Sequence, residues 1–540
     1  MVELPEGPKG SPLRARLVNV LIVIYFAFLF GNNLDVNPGL HADEAWSGLH
    51  AAQMLSGQTT SLLRGRTWYT GALFPYLLTW PFRVLGISVW SLRCVGVAAN
   101  LCAICILTAL VYRLYGRLFG MLVLALLLAS SVLVAVESRL AWEVTALNPL
   151  FAACLLGLAV VFLERGEARR YGSWLPVLAF LSISALGVYS HLIFLSLVLA
   201  LFVASLLVAF RFPGDGVRLL FLLTTLALID AVGLVSLKVL QHFLSQSFAP
   251  AIIGVFWLGI AIQAFAFKGL HIALDEWARQ ALDRFARPIY RLMAAGLIVG
   301  ATAFAGIHLF AFIQILSNDV LLRRLYSVKM PWPILGVSYA YALFILGTYL
   351  TVLSRCIRNR LTLRPSEYFL IVLPVPTLLL LPIFALTNSI RYYLLGNLVL
   401  IVAVVVAHAH LSKRQARCFF ALLATYALII SATLIPITVD RRHYEAVAPM
   451  HFVLGYRIEL SHFGPGEETS AHFFSMVPLV DRLRSDGIRT VRTRDEFFID
   501  NPLKFYFLFN KWDADPHRSA LIDYDYGRLG GFSYQVLDDD

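Results

Sequence analysis

Residues 17–36, LVNVLIVIYFAFLFGNNLDV, decide the fold class of this chain. A helix rises about 1.5 Å per residue, so an apolar run of this length crosses a hydrocarbon core of roughly 30 Å. Comparable runs recur as far as Thr438. The 540 residues are 59% hydrophobic and 14% charged, whereas about a quarter of a soluble domain is charged. The composition therefore predicts an integral membrane protein.

The apolar runs predict about thirteen transmembrane helices. Because the first run lacks a convincing cleavage site, we predict that it is retained as an anchor helix. The predicted spans are residues 17–36, 90–112, 118–136, 146–163, 174–190, 192–210, 218–240, 250–267, 289–316, 333–354, 367–386, 392–411 and 418–438.

The basic residues predict the orientation of the chain. Every second loop, beginning with the N-terminal segment, carries Lys or Arg, as the positive-inside rule requires of cytoplasmic loops. The N-terminus is thus predicted inside a bacterial cytoplasmic membrane, with the first long loop and the C-terminal tail outside. Residues 273–290 have the amphipathic pattern of a helix on the cytoplasmic surface. Since the net charge of +11 follows this topology, it does not indicate nucleic-acid binding.

Two less apolar segments stand apart from the series of predicted spans, and they define the domain organisation. Residues 37–89 form a first external loop with a helix-like stretch after His41 and an aromatic, Pro-rich run suited to interfacial helices. Residues 439–540 have a soluble composition, with a helix-like 477–485, a strand-like 488–491 and strand candidates around Leu521 and Tyr534. We predict a transmembrane module at 1–438 and a small extracytoplasmic α/β or α+β domain at 439–540. The six cysteines lie within or beside spans, so a disulfide framework is not expected.

Adjacent carboxylates follow the first span. Asp43 and Glu44 lie in HADEAW, where a carboxylate in a half-apolar external cavity can act as a general base. The other interpretation is that both occupy the first turn of a helix, where the macrodipole favours acidic residues. The residues alone leave both open. The next short external loop adds Glu137 and Glu143, and Glu143 is a candidate second catalytic or metal-binding carboxylate.

Several Lys and Arg residues lie on the predicted outer side, where the positive-inside rule makes them uncommon, so their presence there suggests a function. Arginine binds phosphate oxygens in bidentate geometry, so a phosphate head group is one explanation, and anionic lipid or local ion pairs are the other. Within a span, Asp230 is expected to pair with Lys238 or to line a cavity. His191, with Tyr189 and Lys238, is a second-rank candidate. The outer cations are Arg64, Arg66, Arg83, Arg93, Arg139, Lys238, Arg323, Arg324, Lys329 and Arg391.

Several segments of the first 200 residues resemble a known family. The segments are HADEA at 41–45, GALFPY at 71–76, LGISVWSLR at 85–93, YGRLFG at 115–120 and SRLAWE at 138–143. Together they resemble the protein-O-mannosyltransferase-like glycosyltransferases of the GT-C fold, a group that includes the lipid A aminoarabinose transferase. The remainder of the chain matches that group only in layout, namely span count, Arg391-Tyr392 and an outer C-terminal domain.

The resemblance implies transfer of a sugar from a polyprenyl-phosphate donor to an acceptor on the outer face, with inversion. Asp43 would be the general base, and Glu44 and Glu143 would orient the acceptor or tune Asp43. Many members have aspartate where this chain offers Glu143. No divalent ion is required if arginines neutralise the phosphate, although Asp43 with Glu143 would be the pair to hold one. The implied donor-phosphate ligands are Arg139, Arg391, Tyr392, Arg64 and Arg66.

Two other classes compete with a glycosyltransferase. A transporter or lipid flippase would also need outer cations and an intramembrane charge such as Asp230, but the chain lacks the internal repeat of many transporters. It also carries external carboxylates and an outer domain for which a flippase has little use. A ligand sensor would have a large soluble domain and few spans. The expected partners are the lipid-linked donor, membrane lipids and a glycan, lipid or protein acceptor, whereas the sugar is not encoded in any motif.

Overall fold

The computed structural model describes most of the chain. The described residues are 12–35, 40–58, 69–116, 118–164, 174–212, 214–240, 251–266, 309–318, 332–358, 360–384, 390–439, 500–509, 518–525 and 531–538, with short pieces between 280 and 302 and between 480 and 493.

Helices make up nearly all of the described chain. Most are uniformly apolar on all sides, as expected of helices buried in a bundle or facing lipid. They are α1 (Pro12–Gly31), α2 (Ala42–Leu55), α3 (Leu73–Leu85), α4 (Val89–Tyr115), α5 (Leu118–Ala129), α6 (Val132–Glu137), α7 (Glu143–Glu164), α8 (Leu175–Ser190), α9 (Phe194–Arg211), α10 (Asp215–Leu240), α11 (Ala251–Ala266), α12 (Leu309–Leu316), α13 (Trp332–Ile357), α14 (Pro365–Val372), α15 (Pro374–Phe384), α16 (Tyr393–Ala409), α17 (Lys413–Val439) and α18 (Asp500–Phe509).

The multi-pass prediction is confirmed by the described helices. Seven of them are long and apolar enough to cross a membrane. Five further apolar stretches are shorter, and one of these covers α14 and most of α15. These twelve coincide with twelve of the predicted spans, while the span at 289–316 lies largely outside the described residues. The predicted helix at 118–136 is interrupted: Ser131 caps α6, its Oγ accepting a hydrogen bond from Val134 N at 3.3 Å. A serine cap satisfies an end-of-helix amide, which explains the break.

Large apolar side chains cover the outside of the bundle. Leu17, Ile24, Leu258 and Leu428 are all more than half exposed. On a soluble protein such a surface would favour aggregation, whereas in a bilayer it faces hydrocarbon. The bundle is therefore built for lipid on its periphery.

The two ends of the bundle differ in chemistry. At one end, here called the basic end, α4, α7 and α14 meet through Arg113, Glu164, Arg364 and Glu367, with nitrogen–oxygen distances of 3.0 to 3.5 Å. The opposite end, here called the site end, carries α2, α3 and the turn between α8 and α9. Because consecutive spans alternate in direction, the segments before α7 and before α16 also reach the site end.

The C-terminal segment contains a small mixed sheet. Strand β1 (Thr490–Thr493) pairs in parallel with β2 (Arg518–Asp525), and β2 pairs antiparallel with β3 (Gly531–Asp538). Leu521 and Tyr534 lie within β2 and β3, as the sequence predicts. The domain boundary at 439 stays a prediction, since residues 440–479 lie outside the described part of the chain.

A buried ion pair fixes the start of α2 against α4. The Arg93 guanidinium donates from Nε to Glu44 Oε1 at 2.9 Å and from Nη2 to Oε2 at 2.8 Å, and both side chains are 0% exposed. The backbone amides of His41 and Ala141 also donate to the Glu44 carboxylate, at 3.1 and 2.7 Å. Arg93 Nη1 donates to Leu34 O at 3.0 Å. This ion pair therefore joins α2, α4, the loop before α7 and the segment that follows α1.

We expect Arg93→Met to be severely destabilising, because it leaves the Glu44 charge buried without its cation. Breaking a buried pair costs about 3–5 kcal/mol. The apparent midpoint of thermal unfolding in detergent, followed by tryptophan fluorescence, should drop sharply. Glu44→Gln combined with Arg93→Met should recover part of the loss, because no unpaired charge remains.

The matched control is Arg113→Met at the basic end, where the arginine side chain is 45% exposed. Exposed pairs contribute about 0–1 kcal/mol, so this variant should unfold near the wild-type midpoint. Equal midpoints for Arg93→Met and Arg113→Met would contradict the structural role of the buried pair.

Candidate functional site

A small polar cavity lies at the site end, where five separate segments of the chain converge. Its volume is about 30 Å³, above the roughly 10–15 Å³ that a single water molecule requires by the same kind of measure. In this conformation it admits a hydroxyl group or a phosphate oxygen, so a whole sugar needs the surrounding side chains to move. It is lined by Asp43, Trp46, Ser47, Tyr69, Thr70, Trp142, Glu143, His191, Arg391 and Tyr392.

Asp43 is presented to this cavity by the first turn of α2. His41 is the N-cap, and its Nδ1 accepts a hydrogen bond from Asp43 N at 3.1 Å. Ser47 Oγ donates to Asp43 O at 3.0 Å. These contacts occupy the backbone of Asp43, while its side chain remains 16% exposed towards the cavity. The carboxylate is thus held at a helix N-terminus, where negative charge is favoured, and is accessible to a small substrate group.

Arg391 provides the cation opposite Asp43. Its Nη1 donates to Asp43 Oδ2 at 3.1 Å, and its guanidinium carbon lies 3.2 Å from the centre of the Trp142 ring. Arg391 Nε is buried without a hydrogen-bond partner among the described residues, and the side chain is 12% exposed. A guanidinium stacked on an indole is held in one orientation by its cation–π contact. Arg391 therefore retains donor capacity beside a carboxylate in an accessible cavity.

The loop between α6 and α7 brings Trp142 and Glu143 to the cavity. Ala141 N is anchored on Glu44, and Asn100 Nδ2 of α4 donates to Thr145 O at 2.8 Å. Glu143 begins α7, where an acidic residue is favoured by the helix dipole. The buried pair that fixes α2 thus also fixes the loop that carries the second cavity carboxylate.

His191 enters from the turn between α8 and α9. Gly71 N donates to Ser190 O at 3.0 Å and Leu192 N donates to Tyr69 O at 2.9 Å, which ties residues 69–71 to this turn. A side chain at Gly71 would overlap the carbonyl oxygen of Tyr189, so only glycine allows the two backbones to approach this closely.

The imidazole of His191 is neutral. Burial, followed by the charges of Lys238 and Arg391, holds the pKa of His191 well below its ordinary value. Its Nδ1 accepts a hydrogen bond from Ile193 N at 3.1 Å, so the single proton resides on Nε2. His191 stacks beside Tyr392, with ring centres 5.6 Å apart. It is suited to donate a hydrogen bond in the cavity and unsuited to act as a cation there.

Five of the candidates predicted from sequence meet in this cavity, although the chain separates them by up to 349 positions between 43 and 392. They are Asp43, Glu143, His191, Arg391 and Tyr392. Arg64 and Arg66 lie outside the described residues, as do the external cations Arg323, Arg324 and Lys329.

Glu44 and Arg139 do not line the cavity, which corrects their predicted place in the site. Both oxygens of Glu44 are occupied by Arg93 and by backbone amides, so it has no capacity left for a substrate. Arg139 Nη1 donates to Leu29 O at 2.6 Å and its Nη2 donates to Asn32 O. Arg139 therefore satisfies carbonyls at the C-terminal end of α1, a common use of arginine at that position.

Lys238 and Tyr189 lie near the cavity without lining it. Lys238 Nζ donates to Tyr189 O at 2.6 Å and lies 5.2 Å from the centre of the Tyr189 ring. The expected pairing of Asp230 with Lys238 is not found, because Asp230 Oδ1 accepts a hydrogen bond from Gln263 Nε2 at 2.9 Å. Lys238 and Asp230 thus each have a hydrogen-bond partner on a neighbouring helix, which reduces the cost of burying them.

Five cavity residues were not predicted from sequence: Trp46, Ser47, Tyr69, Thr70 and Trp142. The helical spacing of three and four residues from Asp43 would have indicated Trp46 and Ser47. Trp142 lies inside the SRLAWE motif, next to Glu143. Tyr69 and Thr70 have no such signal, since their place depends on the backbone contacts with the α8–α9 turn.

Asp43 and Glu143, the pair predicted to hold any divalent ion, both line the cavity. Among the described residues, no group of three or more His, Cys, Asp or Glu side chains has metal-binding geometry. The Asp43 carboxylate faces the Arg391 guanidinium, whose positive charge opposes that of a dication at the same oxygen.

Comparison of the chain with known proteins finds similarity at the level of structure. No protein-family model matches the chain, and no curated protein sequence matches it. The apo oligosaccharyltransferase of Archaeoglobus fulgidus aligns over 85% of this chain at 16% identity, with a TM-score of 0.49. This chain spans 62% of the length of that enzyme.

Two further solved structures are similar. The A. fulgidus oligosaccharyltransferase AglB with an inhibitory peptide and a dolichol-phosphate aligns over 85% of this chain and 62% of its own, at 15% identity and a TM-score of 0.47. ArnT from Cupriavidus metallidurans bound to undecaprenyl phosphate aligns over 84% of this chain and 100% of its own, at 14% identity and a TM-score of 0.33. Both are glycosyltransferases of the GT-C fold, the class that the sequence motifs resemble. At these identities and TM-scores, the similarity assigns neither an activity nor a substrate.

Proposed function

We propose that this protein is a membrane glycosyltransferase that moves a sugar from a lipid-linked phosphate donor to an acceptor hydroxyl. The observation that carries the proposal is the ion pair between Asp43 and Arg391 in one accessible cavity at the site end of the bundle. A transfer of this kind needs a base for the acceptor and a cation for the leaving phosphate. The cavity supplies both within hydrogen-bonding distance of each other.

In this mechanism Asp43 accepts the proton of the acceptor hydroxyl. The hydroxyl oxygen forms a bond to the anomeric carbon while the bond from that carbon to the phosphate oxygen breaks. The electron pair of the broken bond passes to the phosphate. Attack on the face opposite the departing phosphate inverts the anomeric carbon. The proton leaves Asp43 through the cavity after the products separate.

Arg391 stabilises the departing phosphate. Negative charge grows on the phosphate in the transition state, and a preorganised guanidinium is stabilising because Trp142 already holds its orientation. Its Nε, which has no hydrogen-bond partner among the described residues, remains as a donor for the phosphate while Nη1 contacts Asp43. The Nε2–H of His191 is a second donor at the same cavity. Glu143 is placed to orient the acceptor hydroxyl.

The orientation of the bundle supports an outer-face reaction. Arg113 and Arg364 lie at the basic end, together with the loops that are rich in Lys and Arg. Under the positive-inside rule this end is expected to be cytoplasmic, which supports an outer-side reaction in a bacterial inner membrane. A polyprenyl chain can lie along the apolar periphery of the helices while its phosphate reaches Arg391.

Asp43→Asn should abolish sugar transfer, because the amide cannot take the acceptor proton, while binding of polyprenyl phosphate is largely retained. The measurement is single-turnover transfer by purified protein in liposomes with a panel of polyprenyl-phosphate sugars and envelope acceptors. Asp486→Asn, at an exposed position outside the cavity, is the matched control and should transfer at the wild-type rate.

Substantial transfer by Asp43→Asn would remove Asp43 as the base. Mass analysis of envelope glycans from a deletion strain would identify the sugar and its acceptor. An unchanged glycome together with altered solute uptake would favour a transporter.

Arg391→Ala should weaken the binding of polyprenyl phosphate. A hydrogen bond to a charged group contributes about 1.5–3 kcal/mol, so the dissociation constant should rise roughly 10- to 150-fold. Arg391→Lys keeps the charge without the planar fork and should give an intermediate loss. Arg113→Ala at the basic end serves as the control, and an equal effect of both alanine variants on binding would contradict the assignment.

Glu137 is a buried carboxyl group whose protonation affects the electrostatic environment of Arg391. It ends α6 and is 0% exposed, and within the described part of the chain neither carboxylate oxygen has a hydrogen-bond partner. Burial raises the pKa of Glu137 from 4.5 to about 8, against the opposing effect of Arg391 and with a smaller contribution from Glu44. The raised pKa favours the neutral form of Glu137, which competes less than a carboxylate with Asp43 or phosphate for the guanidinium.

Glu137→Gln should raise stability increasingly between pH 5 and pH 8. In that window the folded protein keeps the Glu137 proton and the unfolded chain releases it, so wild-type stability falls with pH at up to about 1.4 kcal/mol per unit. Glutamine removes this titration, and apparent unfolding midpoints measured at each pH should diverge from wild type. Glu164→Gln at the basic end is the control. Parallel midpoint-against-pH curves for Glu137→Gln and wild type would contradict the buried neutral state.

A further inference from the structure

The C-terminal helix α18 packs into the site end against α2 and α3. Leu503, Phe505 and Tyr506 are 1%, 0% and 4% exposed, and together with Val480 and Leu483 they join the apolar cluster formed by α2, α3 and the start of α4. Burying an aromatic side chain of this kind contributes roughly 1.5–3 kcal/mol. The C-terminal segment is therefore docked on the helix that carries Asp43.

The two helices contact each other closely at Gly48. A Cβ at this position would overlap the Phe505 ring and lie 3.2 Å from Leu92 Cδ1. On its other side the Phe505 ring centre is 6.2 Å from that of Phe82 in α3. Glycine is unfavourable inside a helix by about 1 kcal/mol relative to alanine, so its presence in α2 has a packing reason. Gly48 provides the notch that receives Phe505.

One face of α2 packs against other helices, and another face lines the cavity. Glu44 and Gly48, four residues apart, face Arg93 and Phe505. Asp43 and Ser47, likewise four residues apart, face the cavity, and the Ser47 hydroxyl donates to the Asp43 carbonyl. With a rise of 1.5 Å per residue, Gly48 lies only about 7.5 Å along the axis from Asp43. A tilt of α2 at Gly48 displaces Asp43 directly.

We propose that α18 is a positioning element for the reaction, holding α2 through Phe505 in the Gly48 notch so that Asp43 faces the acceptor. This inference rests on the proposed role of Asp43 as the base. Misplacing a reacting group by about 1 Å can reduce a rate about 100-fold. Arg391 precedes α16 and makes no described contact with α18, so loss of docking should reduce turnover and leave phosphate binding unchanged.

The test uses the full-length protein in liposomes and measures both kcat and the dissociation constant for polyprenyl phosphate. Gly48→Ala, which pushes Phe505 out of the notch, should lower kcat about 10- to 100-fold with an unchanged dissociation constant. Phe505→Val, which removes the ring, should lower kcat by a smaller factor. Combining the two substitutions should restore kcat above that of Gly48→Ala, because the smaller side chain leaves room for the new methyl group.

Gly233→Ala in α10 is the matched control, because a Cβ there meets no atom within 4 Å. Wild-type kcat in Gly48→Ala, or no recovery in the double variant, would overturn the proposal. A parallel loss of kcat and phosphate binding in Phe505→Val would also overturn it, since that result means general unfolding. If Gly48→Ala does not fold, Phe505→Val alone tests the proposal: a lower kcat with an unchanged dissociation constant for polyprenyl phosphate supports it. Failure of any of these outcomes leaves the Asp43→Asn result intact, so the two proposals are tested separately.

Discussion

The buried pair between Glu44 and Arg93 is the constraint on which the site end depends. Two charges removed from water are tolerated because the guanidinium binds both carboxylate oxygens and two backbone amides complete their hydrogen bonding. The same carboxylate holds the start of α2 and, through Ala141, the loop before α7. The positions of Asp43 and Glu143 are therefore coupled through a residue that touches neither the cavity nor a substrate.

Neighbouring residues of one helical turn have opposite roles here. Asp43 and Glu44 are chemically similar, yet a rotation of about 100° around α2 separates a carboxylate that faces Arg391 in the cavity from one that is entirely enclosed. The helix begins at these residues, as one interpretation of the sequence predicted, and Asp43 of the same turn lines the cavity. The role of Asp43 as a base stays a prediction. Docking of α18 at Gly48, on the same face of α2 as Glu44, adds to the restraint of this helix.

The membrane architecture was predictable because hydrocarbon imposes it. Only helices satisfy their own backbone in a bilayer, so length and apolar content locate the spans. The interruptions at Ser131 and before Pro374 were not predicted, because hydropathy averages over a window in which one cap or one proline is a small signal. Arg139 was misassigned because sequence shows that a cation lies at the outer end of a span, without showing which carbonyls it reaches.

The sequence by itself determined a multi-pass helical bundle and the alternation of basic and non-basic loops. It also indicated Asp43 and Arg391 as candidate functional residues. Tertiary structure alone decided that Asp43, Glu143, His191 and Arg391 share one cavity, since their contacts join positions as much as 348 residues apart. It also decided that Glu44 is structural, because its partners lie on other helices. Local pattern encodes which face of a helix is polar, whereas the identity of what meets that face depends on packing of the whole chain.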